Sequence, residues 1–269
     1  MAFATPQEVA QSVVEANVIR SRMSVSKMIV LGLLAGAFIS IGAQGSTMAS
    51  HDVTALGVGF QQFLKGSVFS VGLMLVINCG AELFTGNVLM WMSYLEKRIT
   101  LGALLRSWGW VLLANLAGAV GYAWMMAQTG LFSFNDGRLG LATLSIAVSK
   151  IDLTWTEAFM RGVLCNWLVG CAVWLSFASK DIISKFASCY IPVMMFVMSG
   201  FEHSVANFYY LPAGWFAKQN AAVVAAANLG PAVDALTWAN IITKNWIPVV
   251  LGNVLGSAFF VATFYWFAY

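Results

Sequence analysis

Two octamers hold the residues best suited to chemistry. Gly80–Asn87 reads GAELFTGN and Gly200–Asn207 reads GFEHSVAN, so the pattern G-x-E-x-x-x-x-N is written twice, at an interval of 120, in a chain of 269 residues. Glu82, Glu202 and His203 are ionisable side chains inside long apolar runs, where charge is costly and marks a functional position by default. Each glutamate has a plainer alternative, which is to tie down a broken helix by accepting bonds from freed backbone N–H groups; Asn87 and Asn207 share that choice. His203 breaks the repeat, because Leu83 stands at its place in the first octamer. An imidazole donates, accepts or transfers a proton near neutral pH, against the plainer role of a satisfied core histidine. Thr85 offers a hydroxyl on the opposing octamer, as a partner for that chemistry or as a backbone cap.

The elements that must position these groups are membrane helices. Sixty per cent of residues are hydrophobic, 9% are charged and mean hydropathy is +0.79, whereas a soluble domain carries about 25% charged residues. Residues 28–51, 107–135, 162–179 and 246–269 contain no Asp, Glu, Lys or Arg, and each is about the length of a spanning helix of roughly 20 residues. Residues 66–95 and 186–217 are two further apolar stretches, each interrupted near its middle by one Glu. Six spans are expected, in one domain covering residues 1–269.

Residues 1–26 read as a polar, amphipathic segment with no cleavable signal pattern, suited to a membrane interface. Aromatic residues crowd the expected span ends, as rings anchored at the headgroup level do. One face holds Arg20, Arg22, Lys27, Lys97, Arg98, Arg106, Lys180 and Lys185; the other holds Lys65, Arg138, Lys150, Arg161, Lys218 and Lys244. That bias favours cytoplasmic termini. The net charge of +3 is small and unclustered, which gives no footing for nucleic acid. Cys79, Cys165, Cys171 and Cys189 show no disulfide or zinc spacing and are expected to be buried small hydrophobes. No metal or cofactor is expected.

Three spans precede the midpoint and three follow, and an odd number of crossings flips the chain. The two halves are therefore expected to be inverted repeats. A second echo, NLAG at Asn115–Gly118 and NVLG at Asn253–Gly256, falls in the third and sixth spans, where small residues let helices approach closely. A continuous helix over residues 66–95 would be about 45 Å long at 1.5 Å per residue, against a hydrocarbon core of about 30 Å. The second and fifth spans are thus expected to be broken at the octamers. Irregular backbone at membrane depth is tolerated only inside protein or along a cavity, so two such breaks from opposite sides describe a pore.

These residues resemble the formate-nitrite transporters, pentameric channels whose subunits have six spans and an aquaporin-like fold. The resemblance rests on GAELFTGN, GFEHSVAN, Lys150 with Asn166 in LCNWLV, and IPVVLGNVLGSA in the last span. It implies an outer constriction of Phe69 and Phe196 and an inner one of Leu73, Leu83, Phe84 and Val169. His203 and Thr85 would lie between them, with Lys150 and Asn166 near the outer vestibule. Phe69, Leu73 and Val76 independently share one helix face at i, i+4 and i+7, a stripe that is also ordinary packing.

The function implied is a bacterial or archaeal plasma-membrane channel, a homopentamer in the lipid bilayer, for formate and related small monovalent anions. The anion would travel as the neutral acid or with a proton shared by His203. Lys150 would draw anions to the mouth, with Asn166 holding its ammonium in place. MMFVMSGFEHSVANFYYLPAG and NIITKNWIPVVLGN look more like the formate branch than the nitrite branch; nitrite and hydrosulfide are the alternatives. A water or glycerol channel would carry paired N-P-A tripeptides, and neither octamer contains Pro. A membrane-embedded hydrolase built on Ser204 beside His203 lacks G-x-S-x-G, so no enzyme is expected.

Overall fold

A computed structural model describes residues 3–227 and 229–269. The described residues are almost entirely helical. Pro6–Ser21 forms α1, opened by a reciprocal cap between Thr5 and Glu8 with Pro6 in the first turn, the arrangement that satisfies free N–H groups at a helix start. Val9, Val13 and Val14 seat it against Leu89, Met92 and Trp174.

Five helical segments are long and apolar enough to cross a membrane: Val25–Ser50, Val58–Cys79, Leu101–Gln128, Trp155–Ala178 and Trp238–Ala268. Val25–Ser50 is α2. Val58–Cys79 comprises α3 (Val58–Phe69) and α4 (Val71–Cys79), followed after the first octamer's loop by α5 (Phe84–Asn87) and α6 (Met90–Leu95). Leu101–Gln128 is α7, Arg138–Ile151 is α8 and Trp155–Ala178 is α9. The second octamer lies between α10 (Ile182–Met198) and α11 (Ser204–Ala217); α12 is Ala221–Ala227. The last crossing joins α13 (Trp238–Asn240), α14 (Ile247–Ser257) and α15 (Phe264–Ala268) through π-helical turns at Ile241–Trp246 and Ala258–Thr263.

Both octamers break their helices in the same way. Gly80 ends α4 at φ 76° and Gly200 follows α10 at φ 73°, a left-handed conformation that costs glycine nothing. Two residues after each glycine a backbone donor reaches across to a neighbouring helix: Glu82 N–H to Leu31 O and Glu202 N–H to Arg161 O, both at 3.2 Å. A buried asparagine then clamps each loop. Asn115 Oδ1 accepts from Phe84 N–H, and its Nδ2 donates to Glu82 O and Gly32 O. Asn253 repeats this with Ser204 N–H, Glu202 O and Gly162 O. Each buried backbone group left unpaired would cost about 1–3 kcal/mol, so one amide per half makes an irregular loop tolerable at depth.

The NLAG and NVLG echo has the same origin. α2 packs along α7 and α14 along α9. A Cβ at Gly118 would collide with Leu33 O, and one at Gly256 with Val163 O. Close approach brings each asparagine within reach of its loop.

Both chain ends lie on one side of the molecule. Ala4 N–H donates to Ala178 O, and Gln7, Glu15, Arg98, Trp266 and Tyr269 surround one cleft. On the other side, Asp52 after α2 accepts from Arg138 Nη1 at 2.7 Å and from Asn135 Nδ2 at 3.0 Å.

Candidate functional site

On the side away from the termini a vestibule of about 220 Å³ leads inward along α2, α3, α8 and α11. Lys65, Lys150 and Arg161 line it against one carboxylate, Glu202, so three positive charges and one negative leave a formal excess of two. Lys150 Nζ donates to Glu202 Oε1 at 2.8 Å and stands 5.4 Å from the centre of the Tyr210 ring, within cation–π range. The other Glu202 oxygen accepts from Asn207 Nδ2 at 2.6 Å and Asn245 Nδ2 at 3.3 Å.

The vestibule ends at an apolar pinch. Ile39, Phe69, Leu73, Leu83, Val169, Val193, Phe196 and His203 surround about 10 Å³ of space, at the lower limit of what one water occupies. Phe69 meets Phe196 edge-on, with centroids 5.8 Å apart, and Phe196 stacks on His203 at 5.7 Å. His203 lines both the vestibule and the pinch. It is where polar surroundings give way to apolar ones.

Hydrogen bonding fixes the protons on that imidazole. His203 caps α11 by accepting from Ala206 N–H at Nδ1, 3.1 Å away. A lone pair is needed there, so the ring hydrogen is on Nε2, which lies 2.9 Å from Thr85 Oγ1 and donates to it. A proton added at Nδ1 would have to displace the cap.

The structure brings Thr85, Glu202, His203 and Asn207 together and places Asn166 differently. Asn166 does not hold the ammonium, which is paired with Glu202. Its Nδ2 donates to Thr85 O at 3.2 Å and Asn253 O at 2.6 Å, so it braces the first loop against the last crossing. The α9 helix turns it towards α14, whereas Lys150 ends α8 on the vestibule side. Phe84 is likewise absent from the residues around the pinch. It packs edge-on against Trp108 at 6.3 Å, beside Met28 and Val111, because α5 turns its first side chain towards α7. The two expected constrictions share one pinch, with Phe69, Phe196, Leu73, Leu83 and Val169 around a single void. Cys79 departs from expectation too. It is exposed, being the last residue of α4 before the chain opens at Gly80.

Sequence reasoning passed over Lys65, Arg161, Asn245 and Tyr210. The two cations stood out only as loop charges, and their convergence is tertiary. Asn245 carried a usable signal, as a polar residue close to the charge-free run of the last span. Tyr210 carried none within an aromatic-rich segment. In the first half, Glu82 accepts from Asn87 Nδ2 at 2.7 Å and from Arg20 Nε at 3.3 Å, the counterpart of the Glu202 arrangement.

Comparison with known proteins agrees with this geometry. The family model described as formate/nitrite transporter matches residues 7–267. A probable formate transporter of Methanothermobacter thermautotrophicus is 37% identical, with 99% of this chain and 97% of that protein covered. The formate channel FocA of Escherichia coli K12 is 35% identical over 98% and 94%. Among solved structures, a pentameric formate channel with formate bound is similar at TM-score 0.83 and 34% identity, covering 91% of this chain and 97% of that one. An FNT family ion channel is similar at TM-score 0.83 and 26% identity, covering 98% and 99%. With a match over nearly its whole length and the same helical frame, the chain belongs to the formate/nitrite transporter family.

Proposed function

We propose that this protein is a channel for formate and related small monovalent anions, one passage per subunit of a homopentamer, and that the permeant crosses the pinch as the neutral acid or together with a proton. The observation that carries this reading is a cation-lined vestibule closing on an apolar pinch with an imidazole at the seam. Relatives named as formate channels and a pentameric formate channel of similar fold support it. The cationic bias of the terminal side supports cytoplasmic termini, with the vestibule facing outward.

Energetics favour a neutral species at the pinch. A bare carboxylate leaving water for a ring of Phe, Leu and Val incurs a penalty of several kcal/mol or more. Protonating a carboxylate of pKa roughly 4 near pH 7 costs on the order of 4 kcal/mol, at about 1.36 kcal/mol per unit. Burial disfavours the charged form, so the second cost is the smaller one deep in the passage. The excess of cations in the vestibule raises local anion concentration. His203 Nε2–H donates to Thr85 Oγ1, and the permeant, with a proton taken from the aqueous vestibule, meets that polarised pair as its hydration is stripped.

Formate uptake into proteoliposomes across a pH series, with wild type and His203→Asn, tests this reading. Uptake rising as pH falls, and a flattened profile in the variant, is expected. Identical rates and profiles would remove the proton role. Parallel assays with nitrite and hydrosulfide fix the preferred anion.

A further inference from the structure

We propose that the vestibule is an inhibitory site for small divalent oxyanions, with sulfate as the probe: Lys65 and Arg161 hold the dianion, which blocks a pinch it cannot cross. The block rests on the proposed passage for monovalent anions, whereas the binding does not.

Of the three cations around the vestibule, one is spent. Lys150 Nζ is paired with Glu202, the one carboxylate in the lining. Lys65 and Arg161 line the same space from α3 and α9, and among the described residues neither makes an ion pair. Glu157 precedes Arg161 by one turn, but its exposed carboxylate turns back to accept from Thr154 N–H and Oγ1. Gln62, another lining residue, stands three positions before Lys65 on the same helix face and adds amide donors.

Charge and size together single out a dianion. Two uncompensated cations match two negative charges, and a divalent anion gains roughly twice the attraction of a monovalent one at the same distance. The vestibule encloses about 220 Å³, many times the volume that one water needs, whereas the pinch encloses about 10 Å³. One proton makes formate neutral; it leaves sulfate an anion, which a ring of Phe, Leu and Val disfavours. The dianion is therefore drawn in and halted at the vestibule floor, with no bond made or broken. While there it fills the space formate must cross and cancels the excess charge that concentrates formate.

Formate uptake into proteoliposomes with sulfate on both faces, against chloride at equal ionic strength, tests the proposal. Half-inhibition by sulfate at a concentration roughly 5-fold or more below that of chloride is expected from the second charge. Lys65→Gln and Arg161→Gln slow formate entry itself, so the readout is the preference for sulfate over chloride as inhibitor. It should be lost in both variants and kept in Lys65→Arg. Equal inhibition by the two salts in wild type, or a preference unchanged in the glutamine variants, would overturn the proposal; should no variant fold, the wild-type comparison decides. Should formate fail to cross wild type, the passage and its block fall together, and the site is read separately in nanodiscs. There sulfate is expected to raise the thermal unfolding midpoint more in wild type than in Lys65→Gln. An equal rise in the two would be a general salt effect and would overturn the site as well.

Discussion

Arg20 stands to Glu82 as Lys150 stands to Glu202. Each carboxylate follows the left-handed glycine of its octamer, each is held by the asparagine five residues on, and each takes a cation from outside its own repeat motif, at 3.3 Å and 2.8 Å. The two pairs differ in burial, since the Arg20 side chain is 26% exposed and that of Lys150 14%. Removing one partner of a buried pair costs about 3–5 kcal/mol, whereas a partly solvated pair contributes about 1 kcal/mol or less. Lys150→Gln is therefore expected to lower the thermal unfolding midpoint in nanodiscs well below that of Arg20→Gln. Equal shifts would show that burial does not set the strength of these pairs.

Asn253→Ala strips three backbone partners at once, from Ser204 N–H, Glu202 O and Gly162 O. With each unpaired group costing about 1–3 kcal/mol, a loss of roughly 3 kcal/mol or more is expected, and Asn115→Ala should match it. Transport should separate them, because Asn253 brackets His203 and Asn115 brackets Leu83. Formate flux per folded protein is expected to fall further in Asn253→Ala.

Phe196→Ala removes a ring that stacks on His203 and meets Phe69 edge-on. Deleting a buried phenylalanine typically costs about 3–5 kcal/mol, and here the void created adjoins the pinch. Stopped-flow light scattering is expected to show faster water entry through Phe196→Ala than through wild type. Unchanged water permeability would mean that the barrier lies elsewhere.

Asp52 predicts a pH effect outside the membrane. The hydrogen bond from Asn135, then that from Arg138, hold its carboxyl below the ordinary value of 3.8. A carboxylate with a depressed folded pKa contributes stability above its unfolded value and loses it as pH falls through the folded value. Stability attributable to this latch is thus complete above about pH 5 and lost below the ordinary aspartate value. Asp52→Asn should unfold at a lower temperature than wild type at neutral pH, with the difference closing on acidification. A difference that persists at low pH would assign the effect to shape.

Much of the site could be read from the order of residues, and the remainder shows where that reading stops. The octamers sit at the helix interruptions because each glycine takes the left-handed turn and each carboxylate is paired with the asparagine five residues on. Thr85 and His203 could be nominated from residue type, yet their 2.9 Å contact joins positions 118 apart. For Asn166 the expected place beside the Lys150 ammonium is implied by the family resemblance alone, while helix rotation turns its side chain to Thr85 and Asn253.

By itself the sequence determined the solvent this chain folds in, the internal repeat, and the few polar residues placed in apolar runs, because hydropathy and residue chemistry are properties of single positions. Only the tertiary structure decided that Lys150 pairs with Glu202, that Phe84 packs on Trp108, that Cys79 is exposed, and which nitrogen of His203 holds its hydrogen. Those outcomes depend on the rotation and approach of helices far apart in the chain, and one amide or one glycine contact is enough to set each of them.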